Sequence, residues 1–479
     1  MKRTPILVLV LLSAGVTTLR AAEKAEKDAK NPPTFSNDVA PILFQQCATC
    51  HRPGEAAPFP LLTYEDARKR GKLIAHVTQS RQMPPWKAAK GDVAFRNERR
   101  LQDAQIAVLQ QWLAAGMPEG DRKDLPAAPT FADGWTLGKP DLVVKMPKAY
   151  RVPAEGRDIY RNFAVALDLQ EDKWVKAIDF RPSAASVVHH TLFFLDPTGT
   201  AAKKELASGE VGSRGGMESL GRPGGKGGKG GGGLGGLGGL GGDSGTAGVA
   251  GLGGWALGAQ ARSLPDGLAY RLPKGSDLVL STHFHPSGKA EEEASTIAFY
   301  FADKQPVQRF TGLQIPMGFG ILAGIDIPAG KKDHAIEDSF VLPVDVKGFG
   351  ISAHAHYLAK DFKMTATLPD GKVKTLLHVP DWDFGWQEQY RFQDFYDLPK
   401  GTKLHVKISY DNSADNLRNP TSPPRRVRWG KESTDEMGSI TLQVVAAKEA
   451  EFPQLREGYG QYVRDAALKA ALKRFGDKK

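Results

Sequence analysis

Leu278-Val279-Leu280-Ser281-Thr282-His283-Phe284-His285 is the run on which the reading of the fold turns. It is short, mostly apolar, and closed off by Asp277 before it and Pro286 after it, as a strand is. Working outward, similar runs recur at Leu142–Lys145, Asn162–Leu167, Val175–Phe180, Val187–Leu195, Thr296–Tyr300 and Ile440–Val445, punctuated by Pro, Gly and Asp. Many short strands with turn residues between them predict antiparallel β-sandwiches, and the roughly 300 residues after Pro140 suffice for two.

Histidines stand at the ends of these strands. Val188-His189-His190-Thr191 opens one, Thr282-His283-Phe284-His285 closes another, and His354-Ala355-His356 spaces two imidazoles two apart. Residues two apart on a strand share a face, so His354 and His356 can reach one metal. His189 and His190 are adjacent and share a metal only at a strand end or a bulge. Imidazole suits copper, zinc, iron or nickel, and a thioether would shift the choice toward copper. Asp435-Glu436-Met437 offers that thioether just before the strand Ile440–Val445. Met437 favours ligation over packing, because leucine fills core space as well. His285 is a spare candidate, and His334, His378 and His405 lack partners and read as structural.

Of 479 residues, 41% are hydrophobic and 25% charged, which excludes a wholly disordered chain and a membrane bundle. The net charge is +10, but no basic stripe carries interleaved aromatics, so nucleic acid is not an expected partner. The two cysteines, Cys47 and Cys50, are too close for a disulfide framework, and the chain is expected to be disulfide-free. Lys2, Arg3, the apolar run Ile6–Val16 and small residues at Ala21 and Ala22 form a secretory signal, cleaved near Ala21. The expectation is a periplasmic or secreted protein with no transmembrane anchor after cleavage.

Cys47-Ala48-Thr49-Cys50-His51 is C-x-x-C-H, in which two thiols can form thioethers to haem and the histidine becomes the proximal iron ligand. A helical pattern precedes it (Phe35–Gln46) and another follows (Asp103–Ala115). This stretch resembles a class I cytochrome c domain. Met83, in Gln82-Met83-Pro84-Pro85-Trp86, is the favoured sixth ligand, with His76 and Met117 as rivals. Between Gly221 and Gly254, 20 of 34 residues are glycine without a collagen period, which reads as a disordered surface insertion.

The order His-His, His in a T-H-F-H strand, H-x-H, then D-E-M resembles the copper type II, ascorbate-dependent monooxygenases, the peptidylglycine- and dopamine-hydroxylating enzymes, over about residues 140–447. The resemblance implies two coppers, an electron-transfer site on His189, His190 and His283 and a dioxygen-binding site on His354, His356 and Met437. The positions that grip a peptide carboxylate in the peptide-hydroxylating branch are here Ser352, Ser439 and Thr441, so a peptide C-terminus is not the expected substrate.

Together these readings predict a multidomain chain: a small all-α cytochrome c domain followed by two all-β antiparallel, jelly-roll-like sandwich domains. The boundaries are a signal peptide (1–22), a lead-in (23–33), the cytochrome c domain (34–120), a linker (121–138), a first copper sandwich (139–304, with a Gly-rich insertion at 207–262), a second copper sandwich (305–448) and a helical tail (449–479). The expected function is an exported monooxygenase that hydroxylates a C–H bond of a small organic molecule with O2. One covalent haem c would relay electrons from a periplasmic donor to the two coppers. The alternative is a haem and copper electron-transfer protein that hydroxylates nothing.

Overall fold

The computed structural model describes residues 32–53, 57–131, 135, 137–215, 250–256, 259, 261 and 263–476. The expected signal peptide and most of the glycine tract lie outside the described residues. The chain divides into two compact units, one of residues 1–86 and 98–131 and the other of residues 87–97 and 132–479.

The larger unit is β. Its first half contains β1 (Leu142–Lys145), β2 (Tyr150–Val152), β3 (Ile159–Ala166), β4 (Lys173–Arg181), β5 (Val188–Asp196), β6 (Ser213–Arg214), β7 (Ala250–Ala256), β8 (Tyr270–Leu272), β9 (Asp277–Phe284), β10 (Glu291–Glu293) and β11 (Thr296–Phe301). The sheets β1-β11-β4-β8 and β6-β3-β9-β5-β7 enclose a core that includes Phe163, Phe180, Phe193, Leu280, Phe284 and Phe299. β9 is the central strand of its sheet. One side meets that core; on the other, Val279 packs with Phe194 and with Ala201 of the helix Thr200–Ser208. Burial on both faces explains why its sequence is nearly continuous in apolar residues.

The second half contains β12 (Phe310–Ile315), β13 (Asp326–Ile327), β14 (His334–Val341), β15 (Val346–Ala355), β16 (Ala359–Thr367), β17 (Val373–Val379), β18 (Gln389–Leu398), β19 (Lys403–Tyr410), β20 (Val427–Arg428) and β21 (Gly438–Ala446). Its two main sheets are β12-β21-β15-β18 and β14-β19-β16-β17. β19 shows the period-two rule plainly: Leu404, Val406, Ile408 and Tyr410 are buried, while Lys403 and Lys407 are exposed. The C-terminal helix Phe452–Gly476 is anchored by buried Phe452, Leu455 and Tyr459, and the Tyr459 hydroxyl bonds the backbone of Gln314. Leu264, Leu268, Phe310, Phe349 and Val445 form one apolar cluster that joins the two halves.

The predicted architecture needs correction. The structure is mostly β sheet and shows no clear small all-α cytochrome c domain. The smaller unit has the helices Ala40–Gln46, Tyr64–Gln79 and Asp103–Ala114, packed around Phe35, Leu43, Leu61, Ile74 and Trp112. Residues 80–102 contain no helix, and residues 87–97 leave the unit altogether. They lie along β18, where Phe95 pairs with Phe392 and packs at a tilt against Tyr390, and the Gln393 amide donates to the Ala94 carbonyl. The driving force is edge pairing plus burial of an aromatic ring, which outweighs continuity with the helices. The two sandwiches are likewise one compact unit, and the described ends of the expected 207–262 insertion supply sheet strands β6 and β7. Among the described residues, no helix is long and apolar enough to cross a membrane.

Phe310 is almost wholly buried in the joining cluster. Phe310→Ala is expected to destabilise the β unit by about 3–5 kcal/mol. In chemical denaturation followed by circular dichroism, its single β transition should move or split, whereas the exposed control Val373→Ala should not shift it.

Candidate metal centre

β5 and β9 carry the first group of ligands. The pairing of β5 with β9 shifts register between Val188 and His190, so that His190 faces His283 and His189 sits at the bulge. The extra residue turns two adjacent imidazoles toward the same place, which regular alternation forbids. His189, His190 and His283 each offer a ring nitrogen within 4.8 Å of the others. The His189 and His190 Nδ1 atoms are 3.0 Å apart.

β15 and β21 carry the second group. They pair in register His354↔Ser439 and Ala355↔Gly438, which sets the end of H-x-H beside Met437. One buried carboxylate fixes the arrangement. Glu436 accepts the amide N–H of His356 at 2.6 Å and of Met437 at 2.8 Å on Oε1, and of Leu358 at 2.8 Å on Oε2. Burial pushes its carboxyl up to about 8, against the lowering effect of those backbone bonds.

The remaining hydrogen bonds orient the rings. His354 Nδ1 lies 2.7 Å from the Gln387 side-chain oxygen and His356 Nδ1 lies 3.2 Å from the Asp435 carbonyl, so the Nε2 atoms are left for a ligand. His283 Nε2 lies 3.1 Å from the Asp158 carboxylate, outside hydrogen-bond geometry, and its buried Nδ1 has no hydrogen-bond partner. Asp158 also bonds His285 Nδ1 at 2.7 Å, the Ser433 amide at 3.2 Å and the Ser433 hydroxyl. Burial alone would raise the Asp158 carboxyl, but the approach of His283 and the hydrogen bonds from Ser433 and His285 hold it well below the carboxylate range. Burial drives His189 down to about 3 and His354 to about 4, and puts His190 and His356 well below the ordinary value. Four neutral imidazoles at physiological pH are the form that binds metal.

The two groups meet. The His190 and His354 rings are 6.2 Å apart, centroid to centroid. Phe384 stacks on His189 at 4.2 Å and touches His356 at 5.6 Å. The donor set, imidazoles with one thioether and an orphaned buried nitrogen at His283, fits copper. His285 is directed onto Asp158 and is largely exposed, so it is not one of the converging groups. His378 bonds Asp361, His405 bonds Ser339 and His334 packs on Tyr410, all away from this cluster. Asp158, Glu436, Gln387 and Phe384 escape a reading of sequence alone. Only Glu436 carried any signal, as an acid inside the D-E-M triplet.

In the smaller unit, Cys47 and Cys50 are not joined by a disulfide. His51 Nδ1 lies 3.0 Å from the Phe59 carbonyl, which leaves Nε2 for an axial bond, and burial lowers its pKa. Burial raises the Cys47 thiol to about 12, with Cys50 adding to it. This turn fits the attachment of haem through the two sulfurs. Met83 is 38% exposed and His76 is exposed, whereas the Met117 sulfur lies against Gly71 in the core.

No family model and no curated protein matches the chain. Solved structures give distant likenesses. A structure of the infectious bursal disease virus Gx strain is 8% identical at TM-score 0.18, covering 68% of this chain and 76% of that one. PNGF-II is 12% identical at TM-score 0.21, with 66% and 63% covered. The major capsid protein P2 from bacteriophage PM2 is 11% identical at TM-score 0.19, with 58% and 99% covered. Likenesses this distant carry no argument about function.

Two substitutions probe the supports. Asp158→Asn should weaken copper binding at His189, His190 and His283 by about 10–100-fold and leave the His354, His356 and Met437 set unchanged, as read by chelator competition. Glu436→Ala orphans three buried backbone N–H groups and is expected to cost about 3 kcal/mol or more in denaturant unfolding.

Proposed function

We propose that the protein is an exported copper-dependent monooxygenase. It hydroxylates a C–H bond of a small organic molecule with O2, and a haem c attached at Cys47 and Cys50 supplies its electrons. The observation that supports this most is the convergence of His189, His190 and His283 from one sandwich with His354 and His356 from the other, with Met437 next to His356 along the paired backbone. The order of these residues resembles that of the type II copper monooxygenases.

When bound, copper and haem would supply the one-electron steps and the activation of dioxygen. The chain's own residues do the rest. His189, His190 and His283 form an all-nitrogen set, while Met437 adds a soft sulfur to His354 and His356, so the two sets differ in chemistry. Glu436 holds His356 and Met437 side by side, Gln387 orients His354, and Asp158 orients His283. Phe384, Phe319 and the buried sheet faces exclude water from the rings. His51, next to Cys50, and Met83 would be the side chains that ligate the haem iron.

The second reading, an electron-transfer protein without hydroxylase activity, is favoured by nothing in the site geometry but makes a different prediction. Metal analysis of the copper-loaded mature protein should give two coppers and one haem per chain, falling to one copper in His354→Ala. With a reductant and O2, the monooxygenase consumes oxygen and places one oxygen atom in product, traceable with labelled O2. Oxygen uptake with no labelled product across a screen of small molecules supports the electron-transfer reading, and one copper or none per chain removes the monooxygenase reading.

A further inference from the structure

A cavity of about 90 Å³ lies within the β unit and borders the joining apolar cluster at Leu264 and Tyr270. Its walls come from both sandwiches. Phe180, Trp255 and Tyr270 contribute aromatic rings from the first, and Gln389, Arg391 and Gln443 contribute polar groups from the second. The charged side chains on its walls are Lys176, Arg391 and Glu388, a net charge of +1.

Strand register ties this cavity to the metal centre. On β15, β21 and β18, the residues His354, Ser352 and Gly350 share a face with Ser439, Thr441 and Gln443 and with Gln389 and Arg391. Ser352 pairs with both Gln389 and Thr441, and Gly350 pairs with both Arg391 and Gln443. From the first sandwich, Trp255 lies next to Ala256, which pairs with His190. Trp255 itself pairs with Thr191 and packs on the core side of its sheet, so it is the face shared with Ser352 and Gly350 that leads from the cavity toward His354. Arg391 is four residues along the sheet from the level of His354, about 13 Å at strand rise.

Gly350 leaves room for two side chains. A Cβ there would stand 2.6 Å from Gln443 Oε1 and 3.3 Å from Arg391 Nη1. The space lets the guanidinium and the amide meet at 3.3 Å, with the guanidinium held over the Phe349 ring at 5.1 Å. A fixed, planar, permanently charged fork at the end of an aromatic-walled cavity suits a carboxylate better than a neutral group.

We infer that this cavity is a binding site for a small monocarboxylate with an apolar body, its carboxylate on Arg391 and Gln443 and its apolar body against Phe180 and Trp255. That the bound molecule is the substrate rests on the monooxygenase reading; that the cavity takes a carboxylate does not.

The test uses hexanoate and hexanamide as probes on the full-length mature protein, with and without copper, by isothermal titration calorimetry. Hexanoate should bind about tenfold or more tightly than hexanamide in both forms. Arg391→Gln should abolish the preference, and Gln443→Leu should reduce it, with thermal unfolding run alongside to show that both variants are folded. Should Arg391→Gln fail to fold, Gln443→Leu and Trp255→Leu carry the test, the second by weakening both probes alike. Equal binding of acid and amide, or a preference that survives Arg391→Gln, overturns the inference. Copper content is measured on the same samples, so a protein that binds hexanoate but no copper sinks the metal reading and leaves the pocket standing.

Discussion

A single buried carboxylate sets the geometry on which the proposed metal centre depends. Glu436 gathers the amides of His356, Leu358 and Met437. The turn that follows H-x-H is thereby bound to the turn that precedes β21. Without an acceptor there, several backbone donors would be buried unpaired, and each would cost about 1–3 kcal/mol. The same oxygen that receives His356 also receives Met437, so the backbones that carry the imidazole and the thioether are fixed side by side. Burying an acid to do this is expensive, and its carboxyl is pushed up to about 8 as a result.

Asp158 plays the matching part on the first sandwich, with one difference. It holds His283 and His285 from its own half and Ser433 from the other. Together with the Leu264, Phe310 and Phe349 cluster, this makes the two sandwiches one compact unit and brings His190 within ring contact of His354. Burial then keeps these rings neutral, since charging one imidazole would place a cation beside several others in a dry site. Structural packing and readiness for metal are here the same arrangement.

Some of this was legible in sequence and some was not, for physical reasons. The H-x-H spacing follows from a period of two, and so does the shared face of His354 and His356. The strand character of Leu278–Phe284 was plain, because a central strand buried on both sides needs a continuous apolar run. The joint orientation of His189 and His190 depends on a bulge at Val188–His190, which is a property of the pairing with β9 rather than of either residue. Asp158 carries no local signal, since its partners are more than a hundred residues away. The expectation of a small all-α domain failed at residues 87–97. There Phe95 buries itself on Tyr390 and Phe392, a contact that no helical periodicity announces.

The central claim is that two chemically different copper sites share one closed centre, one all-imidazole and the other with sulfur from Met437. X-ray absorption of the reduced, copper-loaded protein measures this directly. The account predicts a copper–sulfur scattering shell at half occupancy beside the imidazole shells, and its complete loss in Met437→Leu with the imidazole scattering kept. A spectrum with no sulfur shell in the wild type, or one unchanged by Met437→Leu, would contradict it.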